Sequence, residues 1–443
     1  MKMKQTTEYQ KWFQGKFDLF EKSLNGEAST DIHSIRRAAI AKFAELGLPT
    51  TKNEEWRFTN VSAIAGREFT PVLKGDHGIG KEAIESFLFR TAHRLVFING
   101  HYSDELSSVG SMPKGVMVGN LSAMMRKNPE LVSGYLSKYA SFEDDAFIAL
   151  NTAFVRDGAF IQIPDGVQFD DPIHLLFVSD ARDGMMISPR NLMIVGKNSQ
   201  LSIVESFLSL TETVYLTNAV TEVSLDEESV LEHDKLQNEG MGAFHISATT
   251  VHQKEKSNYT SNTLAMGGAI VRNTLKAVLD GEYSECTLNG LSLGTGSQLI
   301  DHHTVIDHAK PNCASHELYK AILDGSSHGV FNGKIFVRQD AQKTDAKQTN
   351  KTLLLSDTAV IDTKPQLEIF ADDVKCTHGA TVGQLDEEQV FYLRSRGIDR
   401  TSARDMLTFA FAGDVVSRVH NEALRNQLES LVHQKLDEGR KDS

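Results

Sequence analysis

Apolar residues recur at three-to-four spacing near the start of the chain, at Trp12, Phe13, Phe17, Leu19 and Phe20, with charges between them. That spacing predicts a helix. A second helix is predicted from near Asp31, carrying Ile35, Ala39, Phe43 and Leu46 on one stripe and stopped by Gly47 and Pro49. The block Asn53-Glu54-Glu55-Trp56-Arg57-Phe58 reads as a packed connector. From 70 to 165 the pattern is mixed: a strand at Leu95–Ile98, helices over 121–139 and 145–151, and a strand at Phe160–Ile163 before the turn Pro164-Asp165-Gly166.

From 170 to 385 helical spacing gives way to short period-two stretches such as Leu201-Ser202-Ile203 and Leu291-Ser292-Leu293, separated by small Gly, Asn, Asp or Ser turns. No long helical pattern interrupts them, which excludes an alternating β/α sheet. Leu275-Lys276-Ala277-Val278-Leu279-Asp280-Gly281 resembles Tyr319-Lys320-Ala321-Ile322-Leu323-Asp324-Gly325 at an offset of 44, with five of seven positions matching. Asn289-Gly290 recurs as Asn332-Gly333, and Ser199-Gln200-Leu201 as Ser297-Gln298-Leu299. Such an offset fits stacked repeats, read here as pairs of coils of about 22 residues each. The expectation is a parallel β-helix whose coils bury their apolar positions only by stacking.

Helical signals return at the end. Asp386 and Gln389 form a capping pair, and Gly397 is a stop after Arg394 and Arg396. Ser402 is positioned to cap a segment with Leu407, Phe409 and Phe411, and a last amphipathic helix carries Val416, Val419, Leu424, Leu428 and Leu431. The tail 437–443 is polar and expected to fray. The chain thus divides into an N-terminal helical and mixed α/β domain (1–165), a β-helix core (166–385) and a C-terminal helical domain (386–443). The class is mainly β, flanked by α-helical domains.

Composition narrows the function. Of 443 residues, 46 are Lys or Arg and 59 Asp or Glu, a net charge of −13, which works against nucleic-acid and anionic-membrane partners. Three scattered cysteines, Cys286, Cys313 and Cys376, do not make a disulfide framework and suit a reducing, cytoplasmic setting. The polar start is unlike a signal peptide, and no apolar run approaches the roughly 18 residues of a membrane span.

Three constellations could carry chemistry. Gly75-Asp76-His77-Gly78-Ile79-Gly80-Lys81-Glu82 has the glycine and lysine spacing of a phosphate loop. Glu82, however, replaces the hydroxyl that would ligate magnesium, and a plain glycine-rich turn is the better account. Asp301-His302-His303 with Asp307, His308, Cys313 and His316 is the densest set of potential metal ligands. On a strand His302 and His308 would share one face and Asp301, His303 and Asp307 the other, so neither face is a compact ligand set. Histidines stacked on the polar surface of a β-helix are the plainer reading; a metal-dependent hydrolase or other β-helix enzyme using residues 301–316 is the alternative. In Cys376-Thr377-His378-Gly379-Ala380, Cys376 and His378 share a face of an extended chain, and a thiolate and an imidazole can bind iron if a partner completes the shell. The plain alternative is a buried cysteine beside a hydrogen-bonded histidine. No common catalytic fingerprint is present in the sequence. The adjacent pairs Asp144-Asp145 and Asp372-Asp373 are expected to be solvated.

Asp373-Val374-Lys375-Cys376-Thr377-His378-Gly379-Ala380-Thr381-Val382-Gly383, with Phe391-Tyr392-Leu393-Arg394-Ser395-Arg396-Gly397-Ile398 after it, resembles the C-terminal signature of the SufB/SufD family of iron–sulfur cluster assembly proteins. Glu54-Glu55-Trp56-Arg57-Phe58-Thr59 and Ala149-Leu150-Asn151 through Asp157-Gly158 to Pro164 agree with it. The Glu-Glu-Trp block and Gly379–Gly383 look closer to SufD than to SufB. The resemblance implies a right-handed parallel β-helix and a non-catalytic scaffold role in the cytoplasm. The implied partners are a SufB-like paralogue, met through the β-helix, and a SufC-like ABC-type ATPase, met through the C-terminal helices. An iron–sulfur cluster would form transiently at the interface with the paralogue, with His378 the main contributor from this chain and Cys376 a weaker companion. No catalytic or tightly bound cofactor site is implied for the chain alone, and a homodimer in isolation is left open.

Overall fold

A computed structural model describes residues 2–24, 30–75, 78–89 and 91–439. Its centre is a parallel β-solenoid in which successive strands alternate between two sheets. One sheet runs from Met117–Asn120 through Ala159–Ile163, Arg190–Val195 and every second strand thereafter to Val360–Ile369. The other starts at the antiparallel pair His101–Val109 and His93–Ile98, continues through Ile173–Ser179, and ends at Lys375–Gly383.

The register gives the coil length. Phe244 pairs with Ile270, a coil of 26 residues; Ile270 with Leu299, 29; and His328 with Val360, 32. The 22-residue coil expected from the offset of 44 is therefore wrong. Leu275–Leu279 lies in one sheet and Tyr319–Leu323 in the other, so that offset is about one and a half coils. Ser199–Leu201 and Ser297–Leu299 likewise belong to opposite sheets. The likeness reflects how a strand ends and turns, which both sheets share.

One corner of the coils is a ladder of left-handed residues: Asn198, Glu228, Lys256, Tyr283, Asn312 and Lys343 all have φ between 54° and 61°. Their backbones link neighbouring coils, as in Asn198 N–H to Glu227 O at 2.8 Å and Lys256 N–H to Glu282 O at 2.8 Å.

Strands of the central coils are buried on both faces. Inward positions such as Leu201, Ile203, Leu231, Tyr259, Cys286 and Leu288 fill the solenoid. Outward positions of the second sheet, among them Leu236, Leu264, Leu291 and Ile322, pack on Val415, Val416, Leu424, Leu428 and Val432 of the C-terminal helices. Outward positions of the first sheet, Leu216, Phe244, Ile246 and Ile270, lie under Phe13, Phe17, Phe43 and Phe147. This double burial is why the alternation in the sequence is blurred.

The N-terminal helices are Lys2–Lys22 and Asp31–Leu46. The buried stripe of the second is Ile32, His33, Arg36, Ala39, Ile40 and Phe43: Ala39 and Phe43 are buried as expected, whereas Ile35 is half-buried and Leu46 exposed. Leu19 is also exposed. The helix expected over 121–139 is two, Leu121–Lys127 and Pro129–Tyr135, because Pro129 removes a backbone donor and opens the second helix instead. Asp145 is no solvated acid: it caps Ala146–Ala153, accepting from Phe147 N and Ile148 N. At the far end the helices are Glu387–Ser395, Arg400–Val416 and Glu422–Gly439. Asp386 caps the first as expected; the second is capped by Asp399, with Ser402 inside its first turn. The polar tail beyond Gly439 and part of the glycine-rich loop, Asp76 and His77, lie outside the described residues. Among the described residues no helix is long and apolar enough to cross a membrane.

Candidate functional site

The two ends of the solenoid differ. The first is closed by the antiparallel strands His101–Val109 and Met117–Asn120 and by helices packed beside them. At the other end Val360–Ile369 and Lys375–Gly383 are the last strands of their sheets, each paired on one side only. Exposed apolar side chains gather there: Val360, Ile369, Phe370 and Val382.

Cys376 and His378 lie on this last coil. Ala346 pairs with Cys376, Gln348 with His378, Asn350 with Ala380 and Thr352 with Val382. All four residues on the preceding strand are buried interior positions, so the same face of Lys375–Gly383 continues the interior column into the open. Cys376 is half-buried against Leu367, Val374 and the Ala341–Ala346 cluster, whereas His378 is exposed. Burial holds the Cys376 thiol above its ordinary range, with Asp345 acting in the same direction against a backbone hydrogen bond from Ala346. The expected shared face is present; a buried cysteine beside a satisfied histidine is not what the coil offers. The arrangement can provide one sulfur and one nitrogen donor, half of a tetrahedral shell.

The residues of 301–316 do not converge. His302 and His308 point into the solenoid, not onto a polar surface: His302 packs on Tyr319, and His308 shares a hydrogen bond with Ser315 Oγ at 2.9 Å. Burial lowers both imidazoles to about 4. Cys313 is buried and donates to Gly281 O at 3.2 Å, while Asp307 is bound by Arg338 at 2.7 Å. His316 is exposed on the other sheet. Among the described residues no group of three or more His, Cys, Asp or Glu side chains is placed to hold a metal ion.

Asp301 and His303 face outward, where the Glu54–Trp56 turn grips them. Thr59 Oγ1 donates to Asp301 at 2.6 Å, Asp301 is ion-paired with Arg272, and Trp56 covers the Arg272 guanidinium at 3.9 Å. Glu55 bonds His303, and Glu54 meets Lys364 at 2.9 Å. The second upstream block is also a clamp. Asn151 donates to Pro189 O and Asn218 O at 2.9 and 2.7 Å, and Asp157 accepts from Tyr102 N, Ser122 N and Asn120. Gly158, at φ 148°, lies so close to the Arg190 backbone that a Cβ would overlap it.

Sequence reading missed an interior that is polar along much of its length. Glu205 meets His233 at 3.2 Å, and Glu239 meets His245 at 2.6 Å and Thr217 at 2.6 Å. The buried Lys235 ammonium donates to Ser247 at 2.7 Å, and higher in the stack Gln348 donates to Glu317. Coil lengths that vary from 26 to 32 residues hide these columns from any fixed-period search.

Comparison with known proteins agrees with this architecture. The SufBD core domain of the SUF system for FeS cluster assembly matches residues 177–411, and the SufBD N-terminal region matches 3–175. An iron–sulfur cluster assembly SufBD family protein of Synechocystis is 34% identical over 420 residues, covering 92% of each chain. The iron–sulfur cluster assembly protein SufD of Escherichia coli is 30% identical over 403 residues, 90% of this chain and 92% of that one. The chloroplastic protein ABCI7 of Arabidopsis thaliana is 30% identical over 420 residues, 93% of this chain and 87% of that one. With both regions matched, and relatives similar over nearly their whole length, the chain belongs to the SufBD family of the SUF iron–sulfur cluster assembly system.

Proposed function

We propose that this chain is a non-catalytic scaffold subunit for iron–sulfur cluster assembly in the cytoplasm. It acts in a complex with a SufB-like paralogue and a SufC-like ABC-type ATPase. The observation that carries this reading is the open last coil: a cysteine and a histidine on an edge strand paired on one side only, flanked by exposed apolar side chains. An edge strand of this kind is a template for pairing with another chain. Two donors do not hold a cluster, so the paralogue supplies the rest, and the cluster is cargo that forms at the interface and leaves. His378 is the principal donor because it is exposed; Cys376, half-buried and with its thiol pKa raised by burial, contributes less. The same open coil is the surface through which the isolated chain would pair with a second copy.

The ATPase docks on the C-terminal helices. Phe391, Tyr392 and Met406 are 72%, 56% and 51% exposed there, a density of apolar surface that suits a protein partner. Among the described residues Glu387–Ser395 buries only Val390, so little of that helix serves the fold of this chain.

Co-expression with the SufB- and SufC-like proteins of its source tests the complex. One species containing all three is expected; elution of the chain alone would remove the reading. His378→Ala should leave that species intact and lower cluster-enzyme activity in a strain relying on this pathway. Undiminished activity would take His378 out of the site.

A further inference from the structure

His378 stands at the outer end of an interior column of buried polar side chains. His378 pairs with Gln348, and Gln348 with Glu317 one coil further in. Gln348 and Glu317 are 2% and 3% exposed, and the Gln348 side-chain N–H donates to Glu317 Oε2. An amide's two ends are opposite in character. One N–H of the Gln348 amide is given to Glu317, which sets the amide's oxygen end away from that side chain, and the oxygen is buried without a hydrogen-bond partner. Across the solenoid Gly333 makes room for this arrangement: a Cβ there would overlap the Gln348 amide. A buried acceptor with no partner is costly unless something donates to it. In its column the next coil outward presents one side chain at that register, His378, about 4.8 Å away along the stack.

Resting on the cluster-assembly reading above, we infer that Gln348, oriented by Glu317, is the positioning residue for His378: its amide oxygen accepts one imidazole N–H and leaves the other ring nitrogen free, as an unprotonated donor, for the cluster. Histidines that ligate metals are commonly held in this way, the second nitrogen tied to a carbonyl or carboxylate that fixes tautomer and ring direction. Glu317 takes no part in ligation; it decides which end of the Gln348 amide faces outward.

The test reads the tautomer directly. Ring-15N-labelled histidine is incorporated into the full chain, His378 is assigned by its loss in His378→Gln, and nitrogen shifts are recorded at about pH 8.5, where ordinary imidazoles are neutral. The wild-type chain should show one tautomer. Gln348→Met, close in shape but without the acceptor, should move both nitrogen shifts toward those of a mixture. Glu317→Met, two coils away from His378, should do the same, because the amide is then free to turn; it also serves if Gln348→Met does not fold. Wild-type shifts retained in a folded variant, or a mixture already present in the wild-type chain, would overturn the inference. In the complex, Gln348→Met should lower cluster yield by about ten-fold. The shifts are read on the chain alone, so they stand or fall separately from the function: full cluster-enzyme activity in His378→Ala would take His378 out of the cluster site and leave the orientation result untouched.

Discussion

At the scale of single residues, buried charge decides most. Arg190 and Glu222 meet at 2.6 Å with both side chains fully buried, and Glu222 also accepts from the backbone N–H groups of Ser137, Tyr139 and Ala140. Removing one partner strands the other, so Glu222→Leu should cost about 3–5 kcal/mol, read as a lower urea midpoint. Titration supplies a second prediction. Burial, the largest influence, and the neighbouring Glu232 raise the Asp234 carboxyl to about 7, with Asn262 opposing them. A raised carboxyl pKa means the folded state keeps its proton longer than the unfolded one, so stability is lost as pH rises from about 4 toward 7. Asp234→Asn should flatten that loss. His302 works the other way: its folded pKa of about 4 lies below the ordinary imidazole value. The unfolded chain takes up the proton first, and stability falls as pH drops from about 6.5 to 4. His302→Asn should remove that part of the acid slope. Urea titrations of the three chains across pH 4–8 check both signs.

At the scale of elements, the strands and helices at the far end leave apolar side chains and a strand edge exposed, which is where the proposed partners are tested. The face of Glu387–Ser395 that holds Phe391 and Tyr392 has little to do for the fold of this chain. A Phe391→Asp, Tyr392→Asp double variant should keep the circular dichroism of the parent and lose co-purification with the ATPase. Retained co-purification would move the docking surface elsewhere. The edge strand Lys375–Gly383 can be tested through Val382, which is 48% exposed. Val382→Lys places charge on the edge, a common way of blocking strand pairing, and should weaken association with the paralogue while leaving the ATPase bound. Size-exclusion mass measurement separates the two effects.

At the scale of the whole molecule, neither sheet of the solenoid is finished without its covering helices. Leu236, Leu264, Leu291 and Ile322 face Val415, Leu424 and Leu428 across one seam, and Phe244, Ile246 and Ile270 face the N-terminal aromatics across the other. A chain ending at residue 385 would expose the first seam. It should bind more of a hydrophobic dye than the full chain and aggregate at a lower temperature; a fragment that matches the full chain in both would show that the helices are an appendage.

Much of this was legible in the sequence. Three-to-four spacing marked the terminal helices, and short apolar runs between Gly, Asn and Asp turns marked stacked strands, because those signals depend on local geometry alone. The string around Cys376 and His378 was readable as a two-donor face, since neighbours two apart on a strand always share one. What the sequence left undetermined was everything that depends on which coil lies above which. A coil has no fixed length here, so the 44-residue likeness matched strand ends in opposite sheets and hid the register. The histidines at 302 and 308 read as surface residues because polarity usually means exposure, yet the stack turns them inward. Only the tertiary structure placed Glu317, Gln348 and His378 in one column, 30 and 31 residues apart along the chain, because coil stacking and not chain distance sets which side chains meet.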